Sequence, residues 1–222
     1  ADNTHGYLIY DDIGRNIESG VILRGVASIG TWLTNGKANY SVFNSAISSR
    51  PLDKREINRM YYDDQVFAHV APQFLNRRKL NTRNRVASTA YFTNGASLSA
   101  NNYQHAFHFN YNVAGHLTEL VQDFAALATL SGLSARVASN YRFKKTRYTF
   151  DLITGKIKEI EYQPASADQF YHWYHYDADN RLISVATGRS RFEPADRVDH
   201  DVSYKFYTHG NIARAEFGEE NI

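Results

Sequence analysis

The sequence predicts an all-β chain of antiparallel hairpins forming a curved or spiral wall, with at most one short helix. Three observations predict it. Tyr and Phe are abundant, 16 and 13 residues against 4 Pro and 1 Met, and aromatic side chains suit a pleated, half-wet surface. Short stretches alternate apolar and polar residues with the strand period of two. One turn-like unit recurs along the chain, and internal repetition decides architecture before any single element does.

The unit is an aromatic, then Asp or Asn, two spacers, Gly or Asn, one residue, and an aliphatic. Asp or Asn opening a tight turn can bond the backbone two residues on. Gly, or Asn in its place, supplies the positive φ that a hairpin turn or its bulge requires.

In chain order, Tyr10-Asp11 with Gly14 gives the first copy, its aliphatic Ile17 one place late. Ser28 to Asn44 is rich in Gly, Ser and Asn and reads as irregular. Tyr62-Asp63 opens a second copy whose turn is replaced by a longer loop running to about Arg85. Tyr111-Asn112 with Gly115 and Leu117 fits without adjustment. Ahead of it Phe107, Phe109 and Tyr111 point one way, His108 and Asn110 the other. Leu120 to Thr129 carries apolar residues at Leu120, Val121, Phe124 and Leu127 and could form the short helix.

Arg142 to Ile160 reads as two strands about a Thr-Gly turn, with Phe150-Asp151 and Gly155 carrying one extra residue. Phe170 to Tyr176 is a strand, Asp177 to Asn180 its turn and Arg181 to Val185 the return. Tyr207 with Gly210 and Ile212 makes a last copy, one residue short and without the acid. The copies run through residues 1–222 with no internal boundary, and neither end reads as a cap. The chain is therefore expected to be one repeat region, a piece of a longer wall.

Charge is balanced, 25 Lys+Arg against 23 Asp+Glu, so nothing demands a nucleic-acid or membrane-surface partner. No apolar run reaches the roughly 18 residues of a membrane-spanning helix. The opening residues carry neither the basic start nor the apolar middle of a secretory signal, and no initiator Met, which suggests a cleaved or excised segment. Cys is absent, which excludes disulfides, cysteine nucleophiles and thiolate metal sites and leaves the compartment open.

The repeated turns, together with RFKKTRYTFDLITGKIKEIEYQ, FYHWYHYDADNRLISVATGRS and FYTHGNIARAEFGEE between Tyr141 and Glu220, resemble the YD repeats of RHS (rearrangement hotspot) proteins. NTRNRVASTAYF at 81–92 and YLIYDDIGRNIESG at 7–20 are similar to earlier repeats of that group. The resemblance implies long β-hairpins coiling into a hollow shell that encloses a C-terminal toxic or variable domain. Relatives include the cocoon of insecticidal toxin complexes and the barrel of the teneurin adhesion proteins. It further implies a secreted or cell-surface bacterial protein. Its partners would be the rest of its own shell, the enclosed effector and a secretion machinery, with no nucleic acid and no direct membrane insertion. The RHS-associated core motif, whose aspartates cut off the cargo, has no counterpart here, so no self-cleaving residue is assigned.

His172/His175 and His105/His108 are each three apart. On a helix each pair could chelate zinc, but on a strand the two rings face opposite ways. Asp177 and Asp179 could suggest acid–base or Ca²⁺ chemistry. The recurrence of Asp or Asn at Asp11, Asp63, Asn112, Asp151 and Asp177 favours turn chemistry instead. Asn76 to Arg85 holds five cations in ten residues without the interleaved aromatics of a single-strand binder; it reads as a solvated loop. Serine-hydrolase, zinc-protease, P-loop and dinucleotide signatures are missing. No catalytic residue, metal ligand or cofactor is assigned. The expected function is a non-enzymatic shell segment. The alternative is an adhesion or carbohydrate-binding module that uses exposed aromatics.

Overall fold

A computed structural model of the chain describes residues 4–23, 33–34, 37–38, 47–48, 51–63, 67–76, 80–98, 102–129, 141–191 and 199–218. The strands are β1 (Thr4–Tyr10), β2 (Asn16–Leu23), β3 (Leu33–Thr34), β4 (Lys37–Ala38), β5 (Lys54–Tyr62), β6 (Val86–Asn94) and β7 (His105–Tyr111). They continue with β8 (Leu117–Asp123), β9 (Phe143–Phe150), β10 (Ile157–Tyr162), β11 (Phe170–Tyr176), β12 (Leu182–Gly188), β13 (Asp199–Phe206) and β14 (Ile212–Phe217). Twelve belong to one antiparallel sheet in chain order, and β3 and β4 form a separate two-residue ladder. That ladder lies inside the stretch expected to be irregular; most of 28–44 falls outside the described residues.

The chain divides into two compact units, Ala1–Phe109 with Gln122–Phe143, and Asn110–Val121 with Lys144–Ile222. In the first, β1 pairs with β2, β2 with β5, β5 with β6 and β6 with β7. Tyr7, Ile9, Ile22 and Ile47 form a core cluster, with Ile17 packed against it. Ile57 lies opposite Phe92, and Ala90 opposite Ala106, all four buried. Where a tight turn would follow Tyr62, the chain makes the long excursion that the sequence suggests, and Phe67, Val70 and Phe74 from it are buried. Its ends are tied by the Asp63 amide, which donates to the Arg85 carbonyl at 3.2 Å.

In the second unit β9 to β14 form a meander, each strand paired with the next. Its described apolar core is thinner: Val121, Tyr171 and Ala186 are buried, whereas β14 is exposed along nearly its whole length.

One expectation is corrected. Leu120 to Thr129 is no helix: its first part is the end of β8, and Ala125–Thr129 is a 3-10 turn. The apolar spacing does suit a helix. However, Glu119, Val121 and Asp123 are buried in alternation, and buried partners for the two acids exist only if the segment is a strand. Tertiary pairing overrides the local period.

The alternation in β7 runs in the expected phase, but the buried side is the polar one. Ala106, His108 and Asn110 are buried while Phe107 and Tyr111 stay half exposed.

Candidate functional site

Two features concentrate side-chain chemistry: the turns that join paired strands, and three groups of buried ions.

The turn between β1 and β2 sets the pattern. The Asp11 amide donates to the Arg15 carbonyl at 2.9 Å, and the Gly14 amide to the Asp11 carbonyl at 3.0 Å. Asp11 Oδ1 accepts from the amides of Ile13 (3.2 Å) and Arg15 (2.8 Å), while Oδ2 accepts from Arg15 Nε at 2.7 Å. The β11/β12 turn repeats the set. Asp177 Oδ1 accepts from the Asp179 and Arg181 amides, and Oδ2 from Arg181 Nε at 2.7 Å. Asn112 uses its amide oxygen in the same way, accepting from the His116 amide at 2.9 Å.

Asp151 holds a turn one residue longer, with Oδ1 taking the amides of Ile153 and Thr154 and the Thr154 hydroxyl. Asp63, beside the long excursion, takes the Asn84 amide at 2.7 Å. Gly14, Gly115, Gly155, Gly210 and Asn180 all have positive φ, as the closing position of these turns demands. Backbone bonds to Asp151 and Asp177 hold both carboxyls below the usual carboxylate range. For Asp11, slight burial works in the opposite direction and the Arg15 fork prevails, giving the same lowered result.

At four of these turns the residue after the Gly or Asn, a mere spacer in the sequence pattern, reaches the neighbouring hairpin. Arg15 lies over Tyr62 at 4.3 Å, Lys156 over Tyr176 at 4.8 Å and Arg181 over Phe206 at 4.7 Å. His116 stacks on Phe150 at 4.8 Å. In each case the cation or imidazole precedes one strand and the aromatic ends the next strand in the sheet. Sequence reasoning missed this link, although the recurrence of Arg, His, Lys and Arg at that one position was visible.

It also shifted the last copy by one residue. Tyr207 donates its amide to the Asn211 carbonyl and accepts from the Gly210 amide, which are the bonds that Asp11 makes. Phe206 pairs with Ile212 just as Tyr176 pairs with Leu182. Phe206 is therefore the aromatic, Tyr207 stands in place of the acid, and the turn is of full length.

The sequence did not announce the buried ions. In the first unit Glu18 accepts from Lys54 Nζ (2.5 Å), Arg59 Nε (2.6 Å) and the Tyr7 hydroxyl (2.9 Å). Also there, Asp123 accepts from Arg142 Nε and Nη2 at 2.6 and 2.9 Å and from the Tyr103 hydroxyl. His69 Nε2 lies 2.7 Å from that hydroxyl oxygen. Burial works to raise the pKa of both acids, but the cations pull harder, and both end below their ordinary values. Burial and the adjacent carboxylates push the hydroxyls of Tyr7 and Tyr103 far above theirs.

In the second unit Arg147 lies between Glu119 (3.4 Å) and Glu161 (3.6 Å), and Arg191 between Glu159 (2.9 Å) and Glu161 (3.4 Å). Asn110 donates to Glu119 at 2.9 Å, and the Trp173 indole to Glu159 at 3.2 Å. These acids sit where strand alternation alone predicts apolar residues, and only the matching cations, Arg147 on β9 and Arg191 just beyond β12, could have signalled them.

Part of two solved structures has this fold. A crystal structure of TcdB2-TccC3-Cdc42 matches 98% of the chain with a TM-score of 0.52 at 13% identity. One of TcdB2-TccC3 matches 97% with a TM-score of 0.51 at 12% identity. The chain spans 8% of the length of each of those chains. No family model and no curated protein matches the sequence.

The histidine pairs fall on strands. His105 stacks on Tyr91 at 4.9 Å, and His108 is buried with Ser88 Oγ 2.8 Å from its Nδ1. His172 meets the Phe170 ring edge-on, and His175 is exposed. Asp179 carries an ion pair to Arg181 Nη2 at 3.1 Å. Of the basic run, residues 77–79 lie outside the described residues; Arg85 donates to the Asn81 carbonyl at 2.8 Å. Among the described residues no helix is long and apolar enough to cross a membrane.

Proposed function

We propose that the chain is a non-enzymatic wall segment, one continuous YD-repeat region, of a larger secreted bacterial RHS-type protein that encloses or presents a C-terminal effector. The observation that carries this is the turn-to-turn linkage: one turn geometry recurs at Asp11, Asn112, Asp177 and Tyr207, with a one-residue-longer form at Asp151, and most of these turns reach the next hairpin through a cation or imidazole on an aromatic. Such a unit extends a wall by addition, each hairpin stabilised by its neighbours. The fold likeness to TcdB2-TccC3 supports the same reading. The turn carboxylates serve this geometry and need no catalytic role. Tyr10, Asp11, Gly14, Tyr62, Asp63, Tyr111, Asn112, Gly115, Phe150, Asp151, Gly155, Tyr176, Asp177, Asn180 and Gly210, with Phe206 and Tyr207, are its framework.

The test is limited proteolysis of the full-length gene product. The reading expects a downstream domain that resists protease while the repeat region is intact and is digested once mild denaturant opens it. A gene product with no domain downstream, or one digested equally with and without denaturant, would refute it.

A further inference from the structure

The turn between β9 and β10 departs from the others in one respect. At Asp11 and Asp177 the outer carboxylate oxygen is occupied by the Arg four residues on. Here the extra residue displaces the cation: Lys156 turns away to the Tyr176 ring and the Asn180 carbonyl. Asp151 Oδ1 holds the turn, whereas among the described residues Oδ2 has only Lys158 Nζ near it, at 3.8 Å and beyond hydrogen-bond reach.

That turn borders a cavity of about 630 Å³ lined by Asp151, Leu152, Ile153, Lys158, Trp173 and His175, among others, a size that suits a small ligand. The indole of Trp173 is held in place before any ligand arrives. Tyr171 stacks parallel to it, 5.8 Å away and 6° off, and its N–H is tied to Glu159. The charges nearly cancel. Lys158 faces Asp151, and Glu159 is met by Arg191.

We propose that this cavity binds a neutral pyranoside. Such a sugar presents a flat C–H face to a fixed indole and ring hydroxyls to an acceptor and a donor, and Trp173, Asp151 and Lys158 supply these three. An ionic ligand would meet no net charge. A purely apolar one would cover Asp151 and Lys158 without satisfying them, at a cost. The proposal does not depend on the chain being a shell segment.

Calorimetric titration of the whole chain with maltotetraose, cellotetraose and chitotetraose, each to about 10 mM, tests it. At least one is expected to bind saturably. Trp173→Ala and Asp151→Asn are each expected to weaken that binding by about tenfold or more. Asp151→Asn keeps an oxygen that can accept from the Ile153 and Thr154 amides, as Asn112 accepts from the His116 amide in a shorter turn; far-ultraviolet circular dichroism checks that the fold is kept. The proposal is overturned if none of the three saturates, if both variants bind like the parent, or if Trp173→Ala weakens binding and Asp151→Asn does not.

Discussion

The Arg15 guanidinium lies 4.3 Å from the centre of the Tyr62 ring, while its Nε is fixed on Asp11 and its Nη1 on Asp63 at 3.2 Å. One side chain thus closes its own turn, covers the aromatic of the neighbouring strand and reaches the next turn acid. The same arrangement without the third contact recurs at Arg181 over Phe206. Local turn chemistry and coupling between hairpins are therefore properties of the same residue.

That coupling is measurable. In a double-mutant cycle, Arg181→Ala and Phe206→Leu should show an interaction of about 0.5–1 kcal/mol, the size of a partly exposed cation–π contact. Arg181→Lys should retain part of it, because Lys156 makes the equivalent contact with Tyr176. Urea unfolding is the measurement; strictly additive single variants would show that the stacking carries no energy.

Asp123 is fully buried and held by a two-point Arg142 fork. Asp123→Ala leaves that guanidinium partly buried without its partner and should cost about 3 kcal/mol or more. Replacing both residues, as in Asp123→Leu with Arg142→Met, should cost less than the single change, since the penalty lies mainly in the orphaned charge. A double variant less stable than Asp123→Ala would contradict this account.

The same carboxyls set the acid limb of stability. Glu18 and Asp123 are held below their ordinary values in the folded chain, so the unfolded chain takes up their protons first as pH falls. Their contribution is complete above about pH 5 and is lost progressively below about pH 4, through the folded values. The urea midpoint should be level from about pH 7 to 5 and then drop, with a shallower drop in Asp123→Asn. An unchanged slope in that variant would remove Asp123 from the explanation. At the alkaline end the sign reverses. The raised Tyr7 and Tyr103 hydroxyls contribute stability below about pH 10, which is lost as the pH rises further.

The hairpins were legible because their signals are local. Asp11, Gly14, Asp177 and Asn180 each shape a few bonds of their own backbone, and alternation about them gave the strands. Glu18 with Lys54, and Asp123 with Arg142, were not legible: their residues are 36 and 19 positions apart, and burial of a charge depends on a partner that no local pattern names. Leu120 to Thr129 was misread for that reason, its helical apolar spacing outweighed by two acids whose cations lie elsewhere. Tyr207 reads as the aromatic of the last copy, in place of Phe206, because an aromatic in the acid's position looks like the start of the unit. The Asp151 cavity was not legible, although the extra residue in its turn was, because its lining comes from β9, the turn, β10 and β11 together.

Two glycines separate backbone strain from crowding. Gly14 has a φ of +83° and nothing within 4 Å of where a Cβ would sit. Gly14→Ala should therefore cost only the left-handed backbone penalty, about 1 kcal/mol. Gly155 has a φ of +69°, and an added Cβ would lie 3.1 Å from His116 Cε1, the ring that stacks on Phe150. Gly155→Ala should cost more, and His116→Ala should reduce the excess. Equal costs at the two sites would mean that the imidazole yields freely. Asn180→Gly, at a φ of 61°, should stabilise by up to about 1 kcal/mol.

Tyr207 offers the sharpest test of the turn rule. Its backbone already makes the bonds of the acid position, but its ring stacks on His209 at 5.2 Å and cannot bond the turn amides. Tyr207→Asp restores an acceptor for the amides of His209 and Asn211, and adding Asn211→Arg supplies the fork that Asp11 and Asp177 enjoy. The single change exchanges a ring contact for two hydrogen bonds and should alter stability by less than about 1 kcal/mol. The double change should exceed the sum of the two singles, because neither the acid nor the arginine has its partner alone. Urea midpoints for the parent, both singles and the double decide the matter. If the double gains no more than the sum, the acid–arginine clasp is a by-product of the turn and not one of its determinants.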